Sequence, residues 1–117
     1  MPLDDETSYR LLKLLSDRPD MSQREIAREA GISLGKINFC LRAFMKRGWL
    51  KVSNFSRSQN KQAYAYYLTP MGVQEKALVT MRFLNQKLEE HEVIREEIAE
   101  LKIEAKRSRK SSNDMDS

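Results

Sequence analysis

Cysteine, histidine and glycine-rich segments are scarce in this sequence. Among 117 residues there is one cysteine, Cys40, and one histidine, His91, and the four glycines are dispersed. A single cysteine excludes a disulfide or a cysteine-based zinc site within one chain. No nucleophile has an evident histidine partner, and no glycine-rich loop could cradle a phosphate. We therefore predict that the protein is not an enzyme and holds neither a metal nor a cofactor.

Long hydrophobic runs are also missing. No stretch of about eighteen apolar residues occurs. The start of the chain is acidic and then amphipathic, unlike a signal peptide with its basic start and apolar centre. We expect a cytoplasmic protein without a membrane partner. A chain of this length has room for one small domain and one extended element.

The charge is unevenly distributed along the chain. The net charge is only +4, but residues 21–69 carry nine basic side chains against two acidic ones. Residues 71–117 carry nine basic side chains against ten acidic ones. This asymmetry is expected if only the first segment contacts a polyanion.

Residues 22–47, SQREIAREAGISLGKINFCLRAFMKR, match the pattern of a helix-turn-helix. Ser22 and Glu25 have the spacing of a capping box, and Gly31 stands where the turn favours a left-handed backbone. Ser33 caps the second helix, predicted over residues 34–47 and ended by Gly48. The motif predicts a helix for the DNA major groove; a helix pair that contacts only protein is the alternative. Small or apolar residues stand where the two helices bury one another: Ile26, Ala27, Ala30, Ile32, Ile37 and Cys40.

The second helix of this motif divides into two faces. Ile37 and Phe44 belong to an inward apolar face, whereas a glycine, a phenylalanine and two cations recur on the outward face. In a DNA groove, Phe39 would contact a thymine methyl group or a sugar, Asn38 an adenine edge, and Arg42 guanine or phosphate. The alternative for Phe39 is a position at the edge of the core. The predicted DNA-binding residues of this helix are Ser33, Gly35, Lys36, Asn38, Phe39, Arg42 and Lys46.

A β-hairpin is predicted directly after the helix-turn-helix. Segments 50–55 and 62–68 are rich in β-formers and enclose a polar, basic run. A hairpin in this place makes the domain a winged helix. Arg57 and Lys61, near the hairpin tip, are the remaining predicted DNA contacts, to the backbone or the minor groove. A solvated hairpin tip is the alternative for these two charges.

A first helix precedes the motif and a long helix follows the hairpin. The first helix, capped by Thr7 or Ser8, runs to about Asp17 and supplies leucines to the core. The last begins after Thr69, with Pro70 in its first position, and nothing interrupts it before residue 107. The predicted fold is mainly α with a small β-hairpin (α+β): a winged helix-turn-helix domain over 1–69, a long helix over 70–107 and a disordered tail over 108–117.

Apolar residues recur along the long helix at spacings of three and four. The spacing predicts a coiled coil with one slip of three residues between His91 and Ile94. A second copy of the chain is the simplest partner, which makes the protein a homodimer. His91 is interpreted as a polar residue that sets the register and would make pairing pH-dependent. The predicted dimerisation residues are Leu84, Leu88, His91, Ile94, Ile98 and Leu101.

These motifs resemble the MarR-type winged-helix regulators, and more closely the exopolysaccharide-associated MarR-family regulators. The resemblance covers about residues 9–104 and is carried by SQREIAREAGISLGKINFCLRAFMKRGWLK, NFSRSQNK and YAYYLTPMG. It implies a homodimeric bacterial regulator that binds double-stranded DNA and controls exopolysaccharide synthesis genes. Typical MarR proteins build a dimerisation region from both termini, around a crevice that can bind phenolic effectors. This chain has little before Thr7 and one helix after the wing, a departure that does not favour a small-molecule effector.

One alternative function remains from the sequence. A winged helix can also serve as a protein-interaction or assembly module without sequence-specific DNA binding. The charge of the exposed helix face distinguishes the two, because a protein-docking face is expected to be less cationic and more apolar.

Overall fold

The computed structural model describes residues 3–58 and 61–115, and the side chains of 54–58, 61–63 and 114–115 lie outside that description. The predicted fold class is confirmed, because the described chain is mainly helical with one antiparallel hairpin. The chain divides into two compact units, Met1–Phe83 and Leu84–Ser117. The elements are α1 (Asp5–Asp17), α2 (Gln23–Ala30), α3 (Leu34–Lys46), β1 (Leu50–Ser58), β2 (Lys61–Leu68) and α4 (Pro70–Met115).

Helix α1 begins earlier than predicted. Asp4, rather than Thr7 or Ser8, is its N-cap, and the Asp4 carboxylate accepts a hydrogen bond from the Thr7 amide at 2.6 Å. A carboxylate at this position also interacts favourably with the positive end of the helix dipole. Thr7 and Ser8 are instead buried inside the first turns. The expected cap was therefore wrong by one turn, since a better acceptor stands just upstream.

The ends of α2 and α3 follow the predicted caps. Ser22 Oγ accepts from the Glu25 amide at 3.1 Å and the Glu25 carboxylate accepts from the Ser22 amide at 3.5 Å, so the capping box is confirmed. Gly31 closes α2 with φ of 67° in the left-handed region. Ser33 Oγ accepts from the Lys36 amide at 3.2 Å and caps α3. This helix ends at Lys46, one residue before the predicted end.

One core holds the first unit together. Leucines of α1, the inward face of α3 and strand residues of the hairpin meet there, and Val79 of α4 is completely buried with them. Trp49, partly buried, packs beside Phe44 with ring centroids 5.3 Å apart. Across α1 and α4 the rings of Tyr9 and Phe83 stack at 5.2 Å. The buried apolar residues of this core are Leu11, Leu12, Leu15, Met21, Ile26, Ile37, Cys40, Leu41, Phe44, Leu50, Tyr66 and Val79.

The hairpin is longer than predicted, with a correspondingly shorter connection. Pairing continues from Leu50 opposite Leu68 to Ser58 opposite Lys61, with a register shift between Ser56 and Ser58. Most of the polar run interpreted as a loop is thus strand, because backbone pairing does not depend on apolar side chains. The amide of Tyr66 donates to the Pro19 carbonyl at 2.9 Å, which fixes β2 against the α1–α2 connection.

The start of α4 is fixed against the α3–β1 connection. Thr69 Oγ1 donates to the Gly48 carbonyl and accepts from the Gly72 amide, the latter at 3.0 Å, so Thr69 caps the helix as predicted. A Cβ atom on Gly72 would lie 2.1 Å from the Trp49 carbonyl oxygen. The absence of a side chain at Gly72 is therefore a steric requirement of this packing.

In the second unit, α4 continues to Met115 instead of ending near Arg107. The segment expected to be a disordered tail is helical over its described residues. It lacks proline and glycine, and its lysine and arginine residues are good helix formers, so low apolar content alone does not end the helix. Every described side chain from residue 84 to residue 113 is exposed.

Candidate nucleic-acid interface

The outward face of α3 carries a stripe formed by the glycine, the phenylalanine and the two cations that the sequence predicted there. Gly35, Phe39, Arg42 and Lys46 are all exposed, whereas the inward residues of the same helix are fully buried. Phe39 is 44% exposed and is not among the residues packed against the core, which favours a surface role over a position at the core's edge. An exposed aromatic ring between cations is suited to a flat, anionic partner.

The cations of this stripe are available for a ligand. Within the described part of the chain, neither Arg42 nor Lys46 forms an ion pair or a hydrogen bond through its side chain. Arg47, one residue further along, instead lies over the Trp49 ring, with its guanidinium carbon 5.1 Å from the ring centroid. Arg42 and Lys46 therefore present uncompensated positive charge at the protein surface.

Lys36 has a different environment from the rest of the predicted set. It is partly buried and acts on Asp4, the cap of α1. Hydrogen bonds from the Thr7 side chain and backbone lower the pKa of Asp4, and the positive charges of Lys36 and Arg10 contribute further. Lys36 also opposes the effect of burial, which raises the pKa of the Cys40 thiol. The positive charge of Lys36 therefore acts on groups of the folded domain, Asp4 and Cys40, as well as on the surface.

Asn38 makes a contact that the sequence did not predict. Its Nδ2 donates to Gln23 Oε1 at 3.2 Å, and the side chain is partly buried between α3 and α2. The same Gln23 amide donates through Nε2 to the hydroxyl of Tyr66 at 3.1 Å. Asn38 therefore links α3 to α2 and, through Gln23, to β2. Gln23 and Tyr66 were overlooked because their partners lie 15 and 43 residues away in sequence.

The wing holds two further surface residues that sequence reasoning missed. Lys51 and Tyr67 are cross-strand partners, and both are exposed. A cation beside an exposed aromatic ring is a common arrangement in nucleic-acid-binding surfaces. The alternation of residues in β2 could have indicated Tyr67. The side chains of Arg57 and Lys61, the predicted wing contacts, lie outside the described residues.

The predicted dimerisation residues lie in the second unit. Exposure is 48% for Leu84, 47% for Ile98 and 67% for Leu101. Leu88, Ile94 and His91 are exposed as well. Large aliphatic side chains repeating along one helix face are thus left in solvent by the single chain, and such an apolar surface is typical of an interaction site.

The described residues offer neither a metal site nor a helical membrane span. Among the described residues, no group of three or more His, Cys, Asp or Glu could hold a metal ion. No helix of the described chain is both long and apolar enough to cross a membrane.

Known proteins share this architecture. Residues 4–51 match a family described as winged helix-turn-helix DNA-binding, whereas no curated protein matches the sequence. The structure of the PcaV transcriptional regulator from Streptomyces coelicolor in complex with its natural ligand is 19% identical, with a TM-score of 0.60 over 68% of this chain and 55% of that chain. A MarR/EmrR family transcriptional regulator from Acinetobacter sp. ADP1 is 25% identical, with a TM-score of 0.53 over 72% of this chain and 57% of that chain.

A third structure similar to this chain contains DNA. FabT of Streptococcus pneumoniae, in complex with DNA, is 17% identical, with a TM-score of 0.54 over 71% of this chain and 56% of that chain. The match thus spans a little over half the length of each of these three proteins. These likenesses establish that the chain has the winged helix-turn-helix fold found in MarR-family regulators.

Proposed function

We propose that the protein is a sequence-specific DNA-binding transcriptional regulator that acts as a homodimer on a two-fold operator. The observation that carries the proposal is the outward face of α3, where the exposed ring of Phe39 shares a stripe with exposed Arg42 and Lys46. Proteins of the helix-turn-helix class place this face in the major groove. The presence of DNA in the FabT structure supports the same use of the fold.

Each part of the interface has its own role in this proposal. Phe39 and Arg42 contact base edges, because they lie near the middle of the exposed face. Ser33 and Lys46, toward the two ends of α3, contact phosphates, and Lys36 adds charge beside them. Gly35 permits close approach of the sugar-phosphate backbone. Asn38 supports α3 through its hydrogen bond to Gln23, and its second N–H and its Oδ1 would contact an adenine edge.

The wing and the second unit complete the proposed assembly. Arg57 and Lys61 would contact the backbone beside the groove, because wing cations of such domains commonly reach phosphates or the minor groove. The exposed apolar residues of α4 would bury one another in a second copy of the chain. Two copies related by a two-fold axis would then recognise two half-sites of one operator.

Control of exopolysaccharide synthesis genes is the most specific part of the proposal. It is supported by the motif resemblance alone, carried chiefly by the joined segments of α3, the wing and the start of α4. If it is right, the selected operator occurs upstream of such genes in the source genome.

The test is a selection of genomic DNA fragments with purified protein, followed by titration of the best fragment at several salt concentrations. We expect one enriched two-fold motif. If about five cations per protomer contact phosphates, the logarithm of the dimer's affinity falls with the logarithm of salt concentration at a slope near −9. The absence of an enriched motif, or a slope weaker than about −3, would favour the protein-interaction module instead.

A further inference from the structure

The apolar stripe of α4 has a definite heptad register. Counting through Leu84, Leu88 and His91 places Leu88 at an a position and the other two at d positions. After the slip of three residues, Ile94 and Leu101 occupy d positions and Ile98 an a position. All of these side chains are exposed in the single chain. In a parallel coiled coil, a β-branched residue at a with leucine at d, as at 98 and 101, favours two strands over three or four.

The charges beside the stripe follow a single rule. In a parallel, in-register pair, a residue at g lies beside the residue five positions further along, at e, on the other helix. The slip does not disturb this count, because His91 serves as d in the first register and as a in the second. Four such pairs occur between residues 84 and 110, and every one joins opposite charges. They are Lys87 with Glu92, Glu90 with Arg95, Glu97 with Lys102, and Glu104 with Arg109.

Some of these charged side chains already form ion pairs within the single α4 helix. Lys87 Nζ lies 3.1 Å from Glu90 Oε2, and Arg95 Nη1 lies 3.9 Å from Glu92 Oε2. The hydrogen bond from Lys87 is also the main cause of the lowered pKa of Glu90. A second helix would let the same four side chains exchange these exposed partners for partners across the interface, without any charge becoming buried and unpaired.

An antiparallel pair satisfies the charges less well. Overlaying the apolar stripe on itself in reverse sets Leu84 against Ala105 and Leu88 against Leu101. In that arrangement g faces g and e faces e, so only two opposite-charge pairs form, Lys87 with Glu104 and Glu92 with Arg95. The parallel arrangement forms four opposite-charge pairs, twice as many.

One opposing effect favours the antiparallel arrangement. Outer positions carry acidic residues as far as residue 100, such as Glu89, Glu96 and Glu100, and basic ones beyond it, such as Lys106 and Lys110. These side chains point away from the partner, so salt screens their interaction over roughly 8 Å at physiological ionic strength. Pairs at g and e positions are within contact distance and lose less to screening. The contact pairs therefore decide the orientation.

We propose that α4 pairs with the α4 of a second copy as a parallel, in-register coiled coil, held by its apolar stripe and specified by these four g-to-e charge pairs. This inference rests on the proposed homodimer and adds its orientation. The N-terminal ends of the two α4 helices then lie side by side.

A charge-swap experiment on the full chain tests the pairing. Glu97→Lys and Lys102→Glu each replace two attractive contacts per dimer with repulsive ones, so we expect each to raise the dimer dissociation constant roughly fivefold at low salt. The double variant restores both contacts with reversed signs and should return to within about twofold of the unchanged chain. Losses that add in the double variant would overturn the parallel assignment, because only the parallel register makes these residues partners.

A cross-linking experiment tests the orientation independently. Ser108 occupies the next d position after Leu101, so Ser108→Cys should form an intermolecular disulfide in a parallel dimer. In the antiparallel overlay the two 108 positions would be about 40 Å apart, at 1.5 Å per residue. The unchanged chain, whose single Cys40 is buried, is the matched control.

Sizing of the same samples by light scattering separates the two levels of the proposal. A dimer that cross-links confirms the inference. A dimer that neither cross-links nor recovers in the double charge swap overturns the parallel orientation and leaves the homodimer intact. A monomer at all accessible concentrations would contradict the homodimeric regulator itself.

Discussion

The hydroxyl of Tyr66 accepts a hydrogen bond from Nε2 of Gln23 at 3.1 Å, which ties strand β2 to the first residue of α2. Through its carbonyl oxygen the same Gln23 side chain binds Asn38 of α3. The wing, the first helix of the motif and the proposed recognition helix are therefore joined by one amide group. Tyr66 is only 6% exposed, so this chain of hydrogen bonds is sheltered from water where it meets β2.

Replacing Tyr66 with phenylalanine should weaken both folding and DNA binding. The substitution removes the acceptor for Gln23, so we expect a loss of about 1 kcal/mol in the free energy of unfolding. DNA affinity should fall as well, because α3 loses part of its support through Asn38. Urea unfolding and fluorescence anisotropy with labelled operator measure the two effects. Tyr64→Phe, at a position 52% exposed, is the control and should change neither quantity appreciably.

Gly35→Ala should affect stability and DNA affinity in opposite directions. A Cβ atom at Gly35 meets nothing within 4 Å, and alanine favours helix over glycine by about 1 kcal/mol. The variant should thus unfold at a higher urea concentration. If the DNA backbone approaches Gly35 closely, the added methyl group lowers operator affinity in the same sample. Unchanged or improved affinity would exclude that close approach.

Gly72→Ala is expected to destabilise the domain strongly. The new methyl carbon would lie 2.1 Å from the Trp49 carbonyl oxygen, and backbone on both sides of this contact cannot move aside easily. Overpacking of this kind costs about 3 kcal/mol or more. Thermal unfolding followed by circular dichroism measures the loss. A melting temperature equal to that of the unchanged protein would mean that α4 and Trp49 are not packed as described.

Arg42→Ala should reduce specific DNA binding more than non-specific binding. An arginine that contacts a guanine edge contributes about 1–3 kcal/mol of discrimination between bases, whereas a phosphate contact contributes equally to all sequences. Affinities for the selected operator and for a scrambled duplex, measured at one salt concentration, separate the two cases. Equal losses on both duplexes would reassign Arg42 to phosphate. Lys13→Ala, on the exposed surface of α1, is the control.

Cys40 should make stability depend on pH at the alkaline end. Burial raises the pKa of its thiol above the ordinary value of 9.0, although Lys36 opposes this. Because the folded pKa is the higher one, the contribution is fully present below the unfolded pKa and is lost as pH rises through the folded pKa. Urea unfolding of the unchanged protein and of Cys40→Ala should therefore show a difference in stability that is constant near neutral pH and changes above about pH 9. A difference that is independent of pH would contradict the burial of the thiol.

Local signals in the sequence predicted most of the first unit. The capping box of Ser22 and Glu25 and the left-handed Gly31 depend on neighbours within a few residues, so the sequence alone specifies them. The contact of Asn38 within the protein was not predicted, because helix periodicity indicates a direction but not a partner. Its actual partner, Gln23, comes into reach only when α2 and α3 pack.

The errors at the ends of helices have a related cause. Asp4 and Thr7 are both acceptable caps by type, and the choice between them depends on the burial of Thr7 in the folded domain. Past Arg107 the composition predicts disorder, but it also lacks any residue that breaks a helix, and the structure follows the second signal as far as Met115. Composition measures the gain from packing, whereas helix ends also depend on backbone preference.

Trp49 is the only tryptophan in the sequence, so it is an intrinsic fluorescent probe of its surroundings. The indole is partly buried, with Phe44 beside it, the Arg47 guanidinium over its ring and Gly72 against its backbone. Its fluorescence therefore reports on the junction of α3, the hairpin and α4. Any ligand that shifts these three elements relative to one another should change the emission without an added label.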